Sequence, residues 1–242
     1  MSNENNNATD NTNSAPENTP NTKDIETLEA EIHDAVAQGS NVEEAVQHLT
    51  LKAMNASRLD IDSLRRIINA VMRGAREGAH QKLGHANDQS QTAQKQISNA
   101  VAGLDSALAS FAEASKLAVE EAASRAKKFS DTELAQTRSD LESLEAMFLD
   151  TLHDTASTAK GLVADTLHDL ASHAKRNGTA VGEQLKLTLA TLAQQMSSVS
   201  HAQLEAGFKL AQSTADFISK AAAGVLASLE DRKKTSDQPK DT

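Results

Sequence analysis

An acid and a histidine three residues apart on a helix share a face and can converge on one metal ion. Three pairs in this chain have that spacing: Glu77 with His80, Asp150 with His153, and Asp165 with His168. Only the first is the Glu-x-x-His of helical di-iron proteins, and the companion glutamates such a site needs are not evident in the sequence. With 34 acidic residues in the chain, helices generate this spacing by chance. These residues are therefore expected on solvated polar faces, with no metal and no cofactor bound.

Other chemistry is sparser still. With no cysteine, thiolate nucleophiles, thiolate metal sites and disulfides are excluded. Neither a nucleophile elbow, nor a phosphate-cradling glycine loop, nor a zinc-binding helix motif occurs. A chain whose aromatic content is 2% supplies little for walling off a reaction pocket, so a non-catalytic protein without a small-molecule substrate is expected. Arg65, Arg66, Arg73 and Arg76 concentrate positive charge on one segment, either as a mixed solvated face or as a dock for an anionic partner or an acidic bundle face. The net charge of −10 argues against nucleic acid as a partner, because phosphate neutralisation requires surplus Lys and Arg.

The elements that would position these residues are helices. Pro16, Pro20 and Pro239 are the only prolines, so residues 21–238 lack the residue that most reliably breaks a helix. Of the 242 residues 41 are Ala, which packs helices closely but buries little area and so favours thin, extended packing. Residues 1–22 and 230–242 carry too few large apolar side chains to offset the cost of ordering and read as disordered tails.

Residues 23–80 read as three short helices. Ile25, Leu28, Ile32 and Val36 form a first stripe ending at Gly39. Ser40 with Glu43, or Asn41 with Glu44, starts a second carrying Val42, Val46, Leu49 and Ala53. Asp60 caps a third carrying Ile61, Leu64, Ile68, Val71 and Ala75. They form a small bundle or a cap docked on the longer helices C-terminal to them. Gly74, Gly78 and Gly84 with the polar run after them mark a linker, placed at 81–90.

From 91 to 229 the pattern becomes that of long helices. Ile97, Val101, Leu104, Leu108, Phe111, Ser115 and Ala118 trace a 4-3 seam. Leu134, Leu141, Leu144, Phe148, Leu152, Ala159, Val163, Leu170 and Ala174 trace a second stripe, ended by Asn177-Gly178. A third runs from Val181 through Leu192 to Leu229. The expectation is three rods of about 60–75 Å in an elongated antiparallel bundle or coiled coil. The turn at Ser130 has neither Gly nor Pro, so the chain either reverses there or continues straight. Thr151-Leu152-His153-Asp154 recurs as Thr166-Leu167-His168-Asp169, which reads as a duplication along one continuous helix.

The most unusual stretch is Leu187 to Leu204, where no Asp, Glu, Lys or Arg occurs. An apolar stripe beside an uncharged Ser/Thr/Gln face suits either burial inside a bundle or contact with a lipid or polymer surface. Leu189, Leu192, Met196, Val199, Leu204 and Phe208 are the candidate interaction surface. The first residues carry neither the positive nor the apolar region of a secretory signal, and no stretch of ~20 apolar residues exists. A cytoplasmic protein, or one peripheral to a membrane or inclusion surface, is expected.

The segment Ala202-Gln203-Leu204-Glu205-Ala206-Gly207-Phe208-Lys209-Leu210, through Ala221-Ala222-Ala223-Gly224-Val225-Leu226, resembles the helices of bacterial phasins, which coat polyhydroxyalkanoate granules. The region 24–229 also resembles an uncharacterised bacterial all-helical family with no assigned activity. The phasin resemblance implies non-catalytic coating of a hydrophobic inclusion, with self-association. Three functions stand as expectations. The first is a self-associating helical scaffold or adaptor, a homo-oligomer. The second is a phasin-like binder of a membrane or granule surface. The third is a ferritin-like metal protein, resting only on the acid–histidine spacings.

Overall fold

The computed structural model describes residues 22–56, 60–83, 90–124 and 131–199. Among these the chain is all-α, in seven helices: α1 (Thr22–Gln38), α2 (Val42–Ala56), α3 (Ile61–Leu83), α4 (Ser90–Ser124), α5 (Asp131–Thr158), α6 (Gly161–Asn177) and α7 (Ala180–Val199). Local chemistry sets several ends where the sequence placed them. Gly39 stops α1 at φ 77°, its N–H donating to the Ala35 carbonyl at 3.1 Å. Asn41 tolerates φ 50° before α2, and its carbonyl accepts the Ala45 N–H. Asp60 caps α3, its Oδ1 accepting the Ser63 N–H at 2.7 Å.

Contacts fix the helix directions. Glu29 and Ile32 of α1 lie against Gly74 of α3, and His33 and Val36 lie one turn on against Gly78, so α1 and α3 run parallel. Gln96 meets Gly39 and Gly103 meets Glu43, Val46 and Gln47, so α2 and α4 are parallel too. With a three-residue turn between α1 and α2, the first four helices alternate down and up, and within this quartet each packs hardest on the helix two places away.

Gly74 and Gly78 therefore do not belong to a linker. Both are buried within α3, which continues to Leu83, so the expected linker at 81–90 loses its first three residues to this helix and Ser90 to α4. A methyl group on Gly78 would sit 2.6 Å from the His33 carbonyl oxygen, and those on Gly74 and Gly103 would press equally on the Glu29 and Glu43 carbonyls. The bare Cα lets two parallel backbones approach closely enough for C–H to meet C=O. The glycines that read as breakers are contact surfaces, because burial against a neighbouring helix compensates for their poor helix propensity.

The second departure is at Ala159-Lys160. The apolar stripe continues through these residues, yet α5 ends at Thr158 and α6 begins at Gly161, which adopts φ 54°. The two helices pack as a hairpin. Asn177-Gly178 ends α6 as expected, with Gly178 at φ 84° donating its N–H to Ala174 O at 2.8 Å. It does not reverse the chain: among the described residues α6 and α7 make no packing contact, whereas α7 runs parallel to α4, with Val181 beside Asp105 and Thr188 beside Ala112. α6, which closes the expected second rod, and α7, which opens the third, thus follow one another without folding back. The described parts of α4 and α5, 35 and 28 residues, span about 52 and 42 Å. Ser130 lies outside the described residues.

One continuous apolar core joins all seven helices, from Leu28 in α1 to Leu192 in α7. At its centre α4 buries Ile97, Leu104 and Leu108 of the 4-3 seam completely, and Ala112 beside them. The buried hydroxyls of Thr50 and Ser115 donate to carbonyls four residues back, so they enter the core without orphaned donors.

Candidate functional site

The densest polar constellation among the described residues lies where α7 begins. Thr179 occupies the N-cap, its Oγ1 accepting the Gly182 N–H at 2.9 Å and its hydroxyl donating to Glu145 Oε1 of α5 at 2.7 Å. Asp105 reaches across from α4. Its Oδ2 accepts the Ala180 N–H at 2.8 Å and its Oδ1 the Val181 N–H at 2.9 Å. Two carboxylates from two helices thus satisfy or frame the unpaired N–H groups of a third, at the end where the helix dipole favours negative charge. Gly182 leaves room for the Glu145 carboxylate, which a Cβ there would push aside.

Burial pushes the Asp105 carboxyl above the ordinary carboxylate range. The N–H groups of Val181 and Ala180 pull it back, and the nearby charge of Glu145 adds to the rise. No sequence motif singles out Asp105. A weaker signal is present: it is the sole charged residue between Lys95 and Glu113, set directly beside the seam residue Leu104. Thr188 adds a second pin one helix segment on, its hydroxyl donating at 3.0 Å to Ala112 O of α4.

The sequence-derived interaction residues scatter. Leu192 is fully buried in the core and Leu189 packs partly buried against it. Met196 and Val199 lie on α7, and Leu204 and Phe208 fall outside the described residues. The apolar side of α7 accordingly faces this protein's own core through Leu192. Among the described side chains, the exposed large apolar ones are Leu187 of α7, at 57% exposure, and Leu117 of α4, at 38%.

Two of the four arginines join helices of this fold or pair beside them. Arg73 pairs with Glu29 of α1 at 2.7 Å, and Arg76 pairs with Glu77 and donates to Thr158 Oγ1 of α5 at 3.0 Å. Arg65 and Arg66 remain exposed. Of the acid–histidine pairs, Glu77 is thus engaged by Arg76, and among the described residues no three His, Asp or Glu side chains gather as a metal site. The break at Ala159-Lys160 does bring the two copies of the Thr-Leu-His-Asp echo together. Leu152 and Leu167 are buried on the two arms of the hairpin, and the exposed rings of His153 and His168 meet edge to face at 5.8 Å. The echo is a pair of facing helices instead of a duplication along one. Among the described residues no helix is long and apolar enough to cross a membrane.

A family model described as "Family of unknown function (DUF6781)" matches residues 18–234. Neither a curated protein nor a solved structure matches the chain.

Proposed function

We infer the role of this chain, which belongs to the DUF6781 family, from its architecture: it is a non-catalytic helical scaffold or adaptor that associates with further copies of itself. The observation that carries this reading is the exposed Leu187 on α7, at the head of the run from Leu187 to Leu204 that holds no charged residue. Two copies each bearing −10 repel one another, and the repulsion is least where both present an uncharged face. An apolar side chain there gains by burial, and the run of sequence that follows it holds no Asp, Glu, Lys or Arg whose desolvation would oppose association. The packing elsewhere supports a structural role, since the acids that reach inward serve to cap α7.

The test is the mass of the protein by light scattering across a concentration series, for the native chain and for Leu187→Lys. The reading requires an oligomer that the substitution shifts toward monomer with helicity unchanged. A native chain that stays monomeric throughout rejects it.

The same uncharged run, continued by a segment resembling phasins, supports a second reading: coating of a lipid or polyhydroxyalkanoate surface. Flotation with neutral lipid vesicles and with polymer granules separates the two. Surface coating requires co-flotation that Leu187→Lys diminishes, and self-association alone gives none.

A further inference from the structure

The geometry points to a metal-binding site at the α5–α6 hairpin, in which His153 and His168 together hold one late first-row divalent ion such as Zn2+, Ni2+ or Cu2+. The two imidazoles project from opposite arms of the reversal at Ala159-Lys160, with ring centroids 5.8 Å apart and an angle of 68° between ring planes. A ring nitrogen lies about 1.1 Å from its centroid and a Zn–N bond is about 2.0–2.1 Å. Two imidazoles on one tetrahedral ion therefore have centroids about 5.2 Å apart, and a wider bond angle extends this to about 6.4 Å. The observed separation falls inside that interval, so the spacing of the two exposed rings suits one shared ion.

Three further features favour a cation there. Leu152 and Leu167, each preceding its histidine, are fully buried, which anchors the two backbones and holds the histidines in register. Asp150, Asp154, Asp165 and Asp169 are all exposed on the same two arms, within one helical turn of a histidine, and raise the local concentration of cations. Imidazole ligation selects late transition metals over Mg2+ and Ca2+, which prefer all-oxygen shells. With two protein ligands, water completes the coordination. The bound ion staples α5 to α6 across the reversal.

The experiment uses the full chain, freed of any affinity tag and of metal by chelator, titrated with Zn2+ by calorimetry, with thermal unfolding in parallel. One Zn2+ per chain and a higher unfolding midpoint with Zn2+ are expected. His153→Gln and His168→Gln should each weaken binding by no less than the roughly tenfold that loss of a second-shell partner costs. Both side chains are exposed, so circular dichroism should show the variants folded. His173→Gln, on α6 but paired with Asn177, should bind as the native chain does. No saturable Zn2+ binding, or binding that survives in the His153→Gln/His168→Gln double variant, overturns the assignment.

Discussion

Replacing Asp105 tests how the start of α7 is held. Asp105→Ala removes acceptors from two backbone N–H groups, at 2.8 and 2.9 Å. Hydrogen bonds to a charged group contribute about 1.5–3 kcal/mol each where both are buried. Two effects reduce the sum: Asp105 is only part-buried, so water reaches the freed N–H groups, and the carboxylate's own desolvation cost disappears. A net loss of about 2 kcal/mol remains, slightly above an ordinary cap deletion of about 1 kcal/mol. With a urea slope of about 2–3 kcal/mol per molar, the midpoint should fall by about 0.7–1 M. The pH dependence is the sharper test. Because burial raises the folded-state pKa of Asp105, the folded chain keeps a proton over an interval in which the unfolded chain has lost it. The stability tied to that proton is complete below the ordinary carboxylate pKa and is lost as pH rises through the folded-state value. The stability of the native chain minus that of Asp105→Asn should accordingly decline as pH rises across the weakly acidic range. Urea titrations of both proteins at several pH values, followed by circular dichroism, measure it. A difference that stays flat or grows with pH refutes the account of Asp105, and an Asp105→Ala chain as stable as the native one refutes the account of the cap.

Gly74→Ala, Gly78→Ala and Gly103→Ala should each cost about 1–3 kcal/mol in urea unfolding, because a methyl group at each drives into a carbonyl of the facing helix. Gly161→Ala should cost only about 1 kcal/mol, since no atom lies near its missing Cβ and strain at φ 54° is the whole penalty; an effect as large as that at Gly74 would contradict this. Leu192→Asp should abolish cooperative unfolding by placing a charge in the core. Leu187→Lys should leave stability within about 0.5 kcal/mol, which makes it the usable probe of association.

The helical periods are legible in the sequence because each helix hides one stripe in a shared core, and stripes are local. Leu28, Ile32 and Val36, or Ile97, Leu104 and Leu108, declare themselves without reference to any partner. Features that depend on a distant partner are not legible. Gly74 and Gly78 look like breakers until the α1 backbone is seen against them. The reversal at Ala159-Lys160 is invisible to periodicity, because Ala159 and Val163 keep the stripe on both sides of it; the positive φ of Gly161 is its one local trace. For the same reason periodicity places His153 and His168 along one helix, although they face each other across two. Asp105 escapes notice in the sequence because its purpose lies at Ala180 and Val181, 75 and 76 residues onward.

The pairing of α1 with α3 and of α2 with α4 has a bearing on how the molecule assembles. Within this quartet successive helices pack less extensively than α1 on α3 and α2 on α4, so these two main pairings form only after an intervening helix has been made. Loops spanning a whole helix must close before the glycine contacts exist, which slows assembly relative to a bundle of nearest-neighbour hairpins. A fragment cut after α2 would leave α1 without α3 and α2 without α4, so the shortest excisable piece that keeps both interlocked pairs runs through α4.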